Sequence, residues 1–275
     1  MSGGPVLVKM SGAGNDFVAL DREQARRIDG DPVAWARRVC RRGLAVGADG
    51  VLFVEPAGAG RVRVRFLNPD GSEAFCGNGT RCAARLAQRR GYAGRTMTLL
   101  TVVGEVEAVV EGTRVRLTLP PPTDLGEIAL ELAGERLDGR YVRAGVPHFV
   151  VQVGDVAGAP LWRWGPQVRR HPRFGDEGTN LDVVTAVENG TLALRTWERG
   201  VEGETLACGS GAVAAAYAAR LSGAAEPLQV IPASGVPLEI GFPGEPGAPR
   251  AAMLHGDARF VFETELNDEA LRGFD

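Results

Sequence analysis

One motif occurs twice in this sequence, once in each half of the chain. A cysteine, Cys76 or Cys208, is followed by Gly-polar-Gly and then by an alanine-rich run. Alanine-rich runs favour helices, and each run ends near a glycine, Gly91 or Gly223, which is typical of a helix C-terminus. The motif therefore predicts two helices that begin at the two cysteines.

A thiol at the N-terminus of a helix has distinctive chemistry. The first-turn N–H groups have no partners within the helix, and the aligned peptide dipoles place roughly half a positive charge there. Both effects favour a thiolate or a bound carboxylate, and the glycines let a small anion approach the backbone. A single cysteine in such a place is more often part of the core. Its repetition favours two half-sites for one carboxylate, each with its own thiol.

The chain has the composition of an ordinary globular protein. Its 275 residues are 44% hydrophobic and 24% charged, with a net charge of −3. This balance gives no reason to expect nucleic acid or an anionic membrane as a partner. The apolar stretch at residues 6–8 is broken by Lys9, so it is too short for a signal peptide or a membrane span. We expect a cytoplasmic protein.

The cysteines and the lysine content argue against a bound cofactor. The four cysteines show no C-x-x-C pairing and no histidine at zinc-finger spacing, so reduced thiols are expected rather than a metal site or disulfides. A pyridoxal phosphate enzyme needs a Schiff-base lysine. The only lysine, Lys9, lies in an early predicted strand without a phosphate-binding sequence. We therefore expect no metal and no organic cofactor.

The order of predicted elements also repeats. In each half, strands lead to a helix, then to further strands, the cysteine helix and a last set of strands. Residues 120–122 are prolines, which cannot continue a central strand and mark a linker. The alternating segment at residues 258–263 has no counterpart before that linker, so we expect it to complete the first domain. The predicted domains are residues 1–119 with 255–275, and residues 120–254.

Several local signals predict single elements. Residues 11–16 predict a tight loop between two strands, in which Asn15 alone is best interpreted as a turn residue. Asp31 followed by proline predicts the start of a helix that buries Cys40. Residues 188–190, Glu-Asn-Gly, predict a hairpin turn.

Taken together, these motifs resemble the diaminopimelate epimerases, a family of cofactor-independent amino acid epimerases, over nearly the whole chain. Five segments match in the order that the family has them. They are KMSGAGNDF at residues 9–17, FLNPDGS with the first CGNG within residues 66–79, GVPH at residues 145–148, TN at residues 179–180, and WERG, GET and CGSG within residues 197–211.

The resemblance implies an α+β, barrel-like fold. It would consist of two pseudo-symmetric domains from a tandem duplication, each a mixed β-sheet or barrel wrapped around a central helix. Both helix N-termini would face one cleft. The resemblance also implies a homodimer and a small amino acid as substrate.

The resemblance further implies that Cys76 and Cys208 are the two catalytic bases. One thiolate would remove the α-proton from one face of the substrate, and the other thiol would donate a proton to the opposite face. His148 would aid proton transfer or orientation, although alone it is equally well interpreted as structural. A free thiol titrates near ~8.5 and a helix N-terminus lowers that pKa, so one thiolate and one thiol are expected at rest.

The other residues carried over from the family would bind the substrate. Backbone N–H groups would hold the reacting carboxylate and stabilise the charge that builds there. They belong to Gly77, Asn78, Gly209 and Ser210. Arginine grips carboxylates in a bidentate manner and glutamate pairs with ammonium groups, so such side chains suit the distal end of a diamino diacid. The distal residues would be Asn15, Asn68, Asn180, Glu198 and Arg199, of which the adjacent Glu198 and Arg199 are alone more typical of a surface pair.

Two departures from the family pattern leave the substrate open. The family commonly has asparagine where this chain has Val146, and residues 200–204 contain one extra residue. A racemase of another amino acid on the same scaffold, such as histidine, is therefore an alternative. Proline racemases fit less well, since they place a histidine at the position of Asn78.

A further alternative is a redox protein. Two thiols of low pKa at one cleft can form a disulfide, which would stop them from acting as bases. A catalytically inactive binding protein is disfavoured, because both thiols and both glycine pairs are intact.

Overall fold

The chain forms two compact units. A computed structural model describes residues 4–132, 134–187 and 190–272. The first unit comprises the chain up to Leu117 and from Gly256 onward, and the second comprises Thr118–His255. The domain boundaries expected after residues 119 and 254 stay a prediction. Among the described residues, no helix is long and apolar enough to cross a membrane.

Strands outnumber helices in both units. Up to residue 119 the elements are β1 (Val6–Gly12), β2 (Asn15–Asp21), α1 (Arg22–Ala25), α2 (Pro32–Val39), β3 (Gly50–Pro56), β4 (Arg61–Leu67), β5 (Glu73–Ala74), α3 (Gly77–Arg89), β6 (Thr96–Thr101), β7 (Gly104–Glu111) and β8 (Arg114–Leu119). From residue 123 they are β9 (Thr123–Leu132), β10 (Glu135–Ala144), β11 (Val146–Gln152), α4 (Leu161–Arg169), β12 (Asn180–Ala186), β13 (Thr191–Glu198), β14 (Gly203–Thr205), α5 (Gly209–Leu221), β15 (Leu228–Ile231), β16 (Leu238–Gly241), β17 (Gly244–Glu245), β18 (Ala248–Pro249), β19 (Ala252–Asp257) and β20 (Arg259–Glu265). Short 3-10 helices lie at Pro172–Phe174 and Asp268–Leu271.

The two units share one topology. In the first, β1 and β2 pair antiparallel, β2 and β3 parallel, β3 and β4 antiparallel, β4 and β6 parallel, and β6 and β7 antiparallel. In the second, the same alternation runs through β10, β11, β12, β13, β15 and β16. Helices α2 and α4 occupy equivalent places in the two series, and so do α3 and α5. The predicted tandem duplication is therefore visible in the strand pairing.

Each cysteine helix is the centre of its unit. Helix α3 contacts β1, β2, β3, β4, β6 and β7, and helix α5 contacts β10, β11, β12, β13, β15 and β16. The strands surround the helix because its alanine-rich sides are small enough for close packing; Ala83, Ala84 and Ala87 in α3 are fully buried. The fold is α+β and barrel-like around a central helix, as the sequence predicts.

The first strand of each repeated series, β1 or β10, also pairs with a strand from outside that series. Strand β20 pairs antiparallel with β1, which confirms the strand predicted at residues 258–263. Strand β9 pairs in the same way with β10 and was not predicted. Its apolar alternation is confined to Ile128, Leu130 and Leu132, which are buried, and its earlier part holds Gly126 and acidic residues, which strands disfavour.

Helix α2 and the core around it agree with the sequence. Asp31 caps α2, its carboxylate accepting the N–H groups of Val33 and Ala34. Trp35 and Cys40 belong to the hydrophobic core of the first unit. Cys40 is thus a core residue, and its burial raises the pKa of the thiol to about 12.

The turn between β1 and β2 is tighter than the sequence predicts. The loop predicted at residues 11–16 is too long, because Ser11 pairs with Asp16 and the turn contains only Ala13 and Gly14. Both turn residues have positive φ, 53° and 102°, as tight hairpins require. Of the hairpin predicted at residues 188–190, Glu188 and Asn189 lie outside the described residues.

Candidate active site

Cys76 caps the central helix of the first unit. Its backbone is extended, and its Sγ accepts the N–H group of Gly79 at 3.4 Å. Thr80 donates its hydroxyl to the Cys76 carbonyl at 2.8 Å, which fixes the first turn. The thiol is partly exposed.

Cys208 caps the central helix of the second unit in the same way. Its Sγ accepts the N–H group of Gly211 at 3.4 Å and lies 3.4 Å from the Ser210 hydroxyl. The residue is only 5% exposed. Both predicted helix starts are confirmed, and Gly77 and Gly209 are the first helical residues.

The second glycine of each motif, Gly79 or Gly211, leaves space for side chains of neighbouring strands. A Cβ on Gly79 would lie 3.1 Å from a methyl group of Leu52. A Cβ on Gly211 would lie 2.5 Å from Oδ1 of Asp182 and 3.0 Å from the Thr196 hydroxyl. Besides the expected approach of a ligand, these glycines therefore allow close packing of neighbouring side chains.

The Cys208 thiol is held in its protonated form. Burial raises its pKa well above the ordinary value, and the negative charges of Glu198 and Asp182 raise it further. The hydrogen bonds from Ser210 and Gly211 act in the opposite direction but are the smaller effects. The expectation that a helix N-terminus lowers the thiol pKa fails at Cys208, because burial and two carboxylates outweigh the helix.

Glu198 lies directly beside Cys208. Its carboxyl group accepts the hydroxyl of Thr205 and hydrogen-bonds the Cys208 thiol. Burial raises the pKa of Glu198 above its usual range, although both of these bonds work against the shift. Strands β13 and β14 create this arrangement, since Thr196 and Thr205 are paired residues and Glu198 is on the same face as Thr196. A carboxyl group so placed can exchange a proton with the thiol.

His148 is fully buried in a polar cluster of the same unit. Its Nδ1 lies 2.7 Å from Oδ2 of Asp182, and its Nε2 lies 3.3 Å from Nδ2 of Asn180. Strands β11 and β12 pair in parallel with His148 opposite Asn180, which brings the three side chains together. All three residues are at most 3% exposed.

Arg199 is tied to this cluster through its backbone. Its N–H group donates to Oδ1 of Asn180 at 2.7 Å. Its guanidinium contacts the carboxylate of Glu177 at 3.3 Å, and Glu177 also pairs with Arg143. Arg199 thus has a carboxylate partner within its own unit. Its role in substrate binding stays a prediction.

Several polar side chains of the first unit are linked by hydrogen bonds in a series that begins at the cysteine helix. Nδ2 of Asn78 donates to Oδ1 of Asn15 at 2.6 Å, and Nδ2 of Asn15 donates to Asp49 at 2.9 Å. Arg42 donates to the other oxygen of Asp49 at 2.8 Å. Asn15 is therefore held by contacts beyond its own turn, and the structure brings it together with Asn78. The roles of both residues in substrate binding stay predictions.

Asn68 occupies a different local setting. Its Nδ2 donates to the Ser72 hydroxyl at 3.0 Å, and its N–H group donates to the Ser72 carbonyl at 2.9 Å. Both bonds lie within the turn between β4 and β5. The structure gives Asn68 a turn-forming role, and its role in substrate binding stays a prediction.

Asp182, Thr205 and Asp49 belong to these clusters and were not predicted from the sequence. One signal was available for Asp182, since alternation along β12 puts it on the same face as Asn180. Thr205 reaches Glu198 only through pairing of β13 with β14, and Asp49 reaches Asn15 across 34 positions of sequence. Spacing in a sequence does not reveal such contacts.

Solved structures identify the class of fold. A probable proline racemase from Agrobacterium radiobacter K84, solved with bound carbonate, superposes with a TM-score of 0.71 at 17% identity, covering 98% of this chain and 94% of that one. At that identity the match shows the fold alone, which is the two-unit α+β fold of this racemase.

The sequence comparisons are more specific. A family model described as "Diaminopimelate epimerase" matches residues 7–119 and 140–261. The diaminopimelate epimerase of Aquifex aeolicus (strain VF5) is 37% identical over 96% of this chain and 98% of its own length. That of Moorella thermoacetica is 40% identical over 79% of this chain and 84% of its own length. The chain belongs to the diaminopimelate epimerase family and is an isomerase.

Proposed function

We propose that this protein interconverts LL- and meso-diaminopimelate without a cofactor, a step that supplies lysine and peptidoglycan precursors. The observation that carries the proposal is the repeated cysteine cap: in each unit a thiol lies at the N-terminus of the central helix. Membership of the diaminopimelate epimerase family supports the choice of substrate.

The proposed chemistry uses one thiol on each face of the substrate α-carbon. Cys76, as thiolate, takes the α-proton, and the electron pair of the broken C–H bond stays on carbon. Cys208, as thiol, donates its proton to the opposite face, which inverts the centre. The protonated state of Cys208 supports its role as the proton donor, because burial and two neighbouring carboxylates raise the pKa of its thiol. In the reverse direction Glu198 can receive the proton of Cys208 before Cys208 acts as the base.

The helix N-termini would hold the reacting carboxylate. Each cysteine sulfur accepts the third N–H group of its helix, Gly79 or Gly211. The N–H groups before it, on Gly77 and Asn78 and on Gly209 and Ser210, are those we assign to the carboxylate. Donors aimed at a group on which charge accumulates lower the barrier more than they tighten substrate binding.

The distal end of the substrate would contact the polar side chains around these helices. Asn15 is pre-positioned by Asp49, and Asn180 by its bond to the Arg199 N–H group. The distal carboxylate would take the place of Glu177 at the Arg199 guanidinium, and Asn68 would add a donor from its turn. His148 would serve proton transfer from its buried position.

One feature favours a second substrate. Val146 begins β11, two residues before His148, where the family commonly has asparagine. A valine cannot donate to a distal carboxylate, so a racemase of another amino acid, such as histidine, is the second candidate. The homodimer and the cytoplasmic location expected from the sequence remain proposals.

Replacement of each thiol tests the proposal. We expect Cys76→Ala and Cys208→Ala to lower kcat for LL-to-meso conversion by at least about 1,000-fold, since each removes a proton-transfer group. The measurement is chiral chromatography of the product, with thermal denaturation as a check of folding. Cys40→Ala is the matched control, because Cys40 is a buried thiol in the core of the first unit.

Retention of more than one tenth of the wild-type kcat in either folded variant would contradict the two-thiol scheme. Equal losses in the Cys40→Ala control would show that the effect is structural.

A further inference from the structure

Asp182 is the centre of the polar cluster in the second unit. It is fully buried, and both of its carboxylate oxygens have partners. Oδ1 accepts the Thr196 hydroxyl at 2.7 Å, and Oδ2 lies 2.7 Å from Nδ1 of His148. A buried carboxylate is costly unless it is paired, so these two contacts account for its presence there.

The neighbours of His148 determine which of its nitrogens carries the proton. A carboxylate can only accept a hydrogen bond, so Nδ1 must be protonated to pair with Asp182. On the other side, Asn180 presents its Nδ2 to Nε2 at 3.3 Å, and an amide nitrogen can only donate. The amide orientation is fixed in turn, because Oδ1 of Asn180 accepts the Arg199 N–H group at 2.7 Å. Both sides therefore require the Nδ1–H tautomer, with the lone pair on Nε2.

The cysteine motif leaves space for this carboxylate. A side chain at Gly211 would lie 2.5 Å from Oδ1 of Asp182. Gly211 is also the residue whose N–H group binds the sulfur of Cys208. One carboxylate thus packs against the first turn of the cysteine helix and holds the histidine.

We propose that Asp182 is a positioning residue that fixes His148 in the Nδ1–H tautomer and makes Nε2 its proton-accepting atom. The effect on activity rests on the proposed epimerase function, in which His148 serves proton transfer. The tautomer itself does not rest on it, so the two ideas can be tested apart.

Nitrogen-15 NMR of the histidine side chains tests the tautomer directly. The chain has three histidines, so His171→Gln and His255→Gln variants assign the His148 signals. At pH of about 8.5, where an ordinary histidine is neutral, we expect a protonated Nδ1 and an unprotonated Nε2 in the wild-type protein. A His148 protonated at Nε2, alone or together with Nδ1, would overturn the proposal.

Substitution of Asp182 tests its role. Asp182→Leu keeps the branched shape of the side chain, although it is larger, and removes both acceptors, so we expect the His148 tautomers to become mixed. With diaminopimelate, kcat should fall about 10- to 100-fold with KM changed less than about threefold, since the loss concerns proton transfer. Thr196→Val is the matched control, because it removes the other bond of the same carboxylate and should keep the Nδ1–H signal.

Asp182→Asn covers the case in which the leucine variant does not fold. It keeps the size of the side chain but loses the charge and one acceptor, and we expect a smaller loss of kcat in the same direction. The proposal is overturned if both folded variants keep kcat within twofold, or if Thr196→Val alters the tautomer as much as they do. If the wild-type protein epimerises no amino acid, the proposed function fails, while the NMR result still decides the tautomer.

Discussion

Two acidic side chains raise the pKa of the Cys208 thiol, whereas the sequence motif of Cys208 is nearly the same as that around Cys76. Glu198 and Asp182 reach it from strands β13 and β12, and burial adds to their effect on its pKa. The helix N-terminus is thus one of several influences on the thiol. The local sequence indicates that Cys208 caps a helix, whereas residues on the neighbouring strands determine the protonation state of its thiol.

The raised pKa of Cys208 predicts how its reactivity depends on pH. Only a thiolate reacts with iodoacetamide, and a raised pKa moves thiolate formation to higher pH. We expect the alkylation rate at Cys208 to keep rising above pH of about 9, where that of a free cysteine levels off. Mass spectrometry of the peptide that contains Cys208 measures the rate. In Glu198→Gln, which removes a negative neighbour, the rise should begin at lower pH.

A Cys208 rate that levels off at or below the pH seen for a free cysteine peptide would contradict this account. So would a Glu198→Gln variant whose profile moves to higher pH.

The predicted site residues differ in how far sequence could place them. Cys76, Cys208 and the glycines after them follow from local signals, namely a cap and helix propensity. The partners of His148 and Glu198 depend on which strands pair and in what register, which the sequence alone does not specify. For that reason the contacts of Asp182 with His148 and of Thr205 with Glu198 were not predicted.

A row of arginines attaches helix α3 to residues 257–260, where β19 ends and β20 begins. Arg81 donates to the Asp257 carbonyl at 3.1 Å, and Arg85 donates to the Ala258 carbonyl at 2.5 Å. The guanidinium groups of Arg85 and Arg89 lie 4.8 Å and 4.5 Å from the ring centroid of Phe260. Because these arginines are four residues apart, they lie on one face of the helix. The contacts explain how the end of the chain is held in the first unit.

Removal of the ring tests this attachment. We expect Phe260→Ala to lower the free energy of unfolding by about 1–2 kcal/mol, since two cation–π contacts and some apolar contact are lost. Urea denaturation measures the change. Phe262→Ala is the control, because Phe262 is on the same strand but 46% exposed. An equal or larger effect at Phe262 would show that the arginines do not stabilise β20 through Phe260.

Helix α4 approaches β13 at a glycine. A Cβ on Gly165 would lie 2.3 Å from Cδ2 of Trp197, the residue before Glu198. Alanine normally favours a helix over glycine by about 1 kcal/mol, but here it has no room. The close packing against Trp197 therefore requires glycine at position 165, despite its lower helix propensity.

We expect Gly165→Ala to destabilise the protein by about 1–3 kcal/mol and to lower epimerase activity, because Trp197 must move. Thermal denaturation and kcat measure the two effects. Gly94→Ala is the control, since no described heavy atom lies within 4 Å of its Cβ. A Gly165→Ala variant more stable than the wild type would show that the ring yields without cost.

At the scale of the whole molecule, the duplication is clearer in the topology than in the sequence. The five pairings from β1 to β7 recur from β10 to β16, while the matching sequence is concentrated in the two cysteine motifs. Two strands outside the series, β20 and β9, pair with its equivalent first strands, β1 and β10, and come from different parts of the chain. Alternation predicted β20 but missed β9, whose first half is polar. The positions of such strands are therefore determined by which strands pair, and local sequence patterns predict them only in part.

The most direct test of the central claim is exchange of the α-hydrogen, followed by proton NMR. The reduced protein is placed in D2O without pyridoxal phosphate or metal, and offered LL-diaminopimelate beside a panel of single amino acids that includes histidine. In D2O the thiol that donates to the substrate carries deuterium, and the proton taken from the substrate goes to the other thiol. The inverted α-carbon therefore receives deuterium from the solvent. We predict that, at low conversion, the meso product carries deuterium while the recovered LL substrate retains hydrogen. Deuterium entering the LL substrate as fast as the product, or exchange confined to another amino acid, would contradict the account.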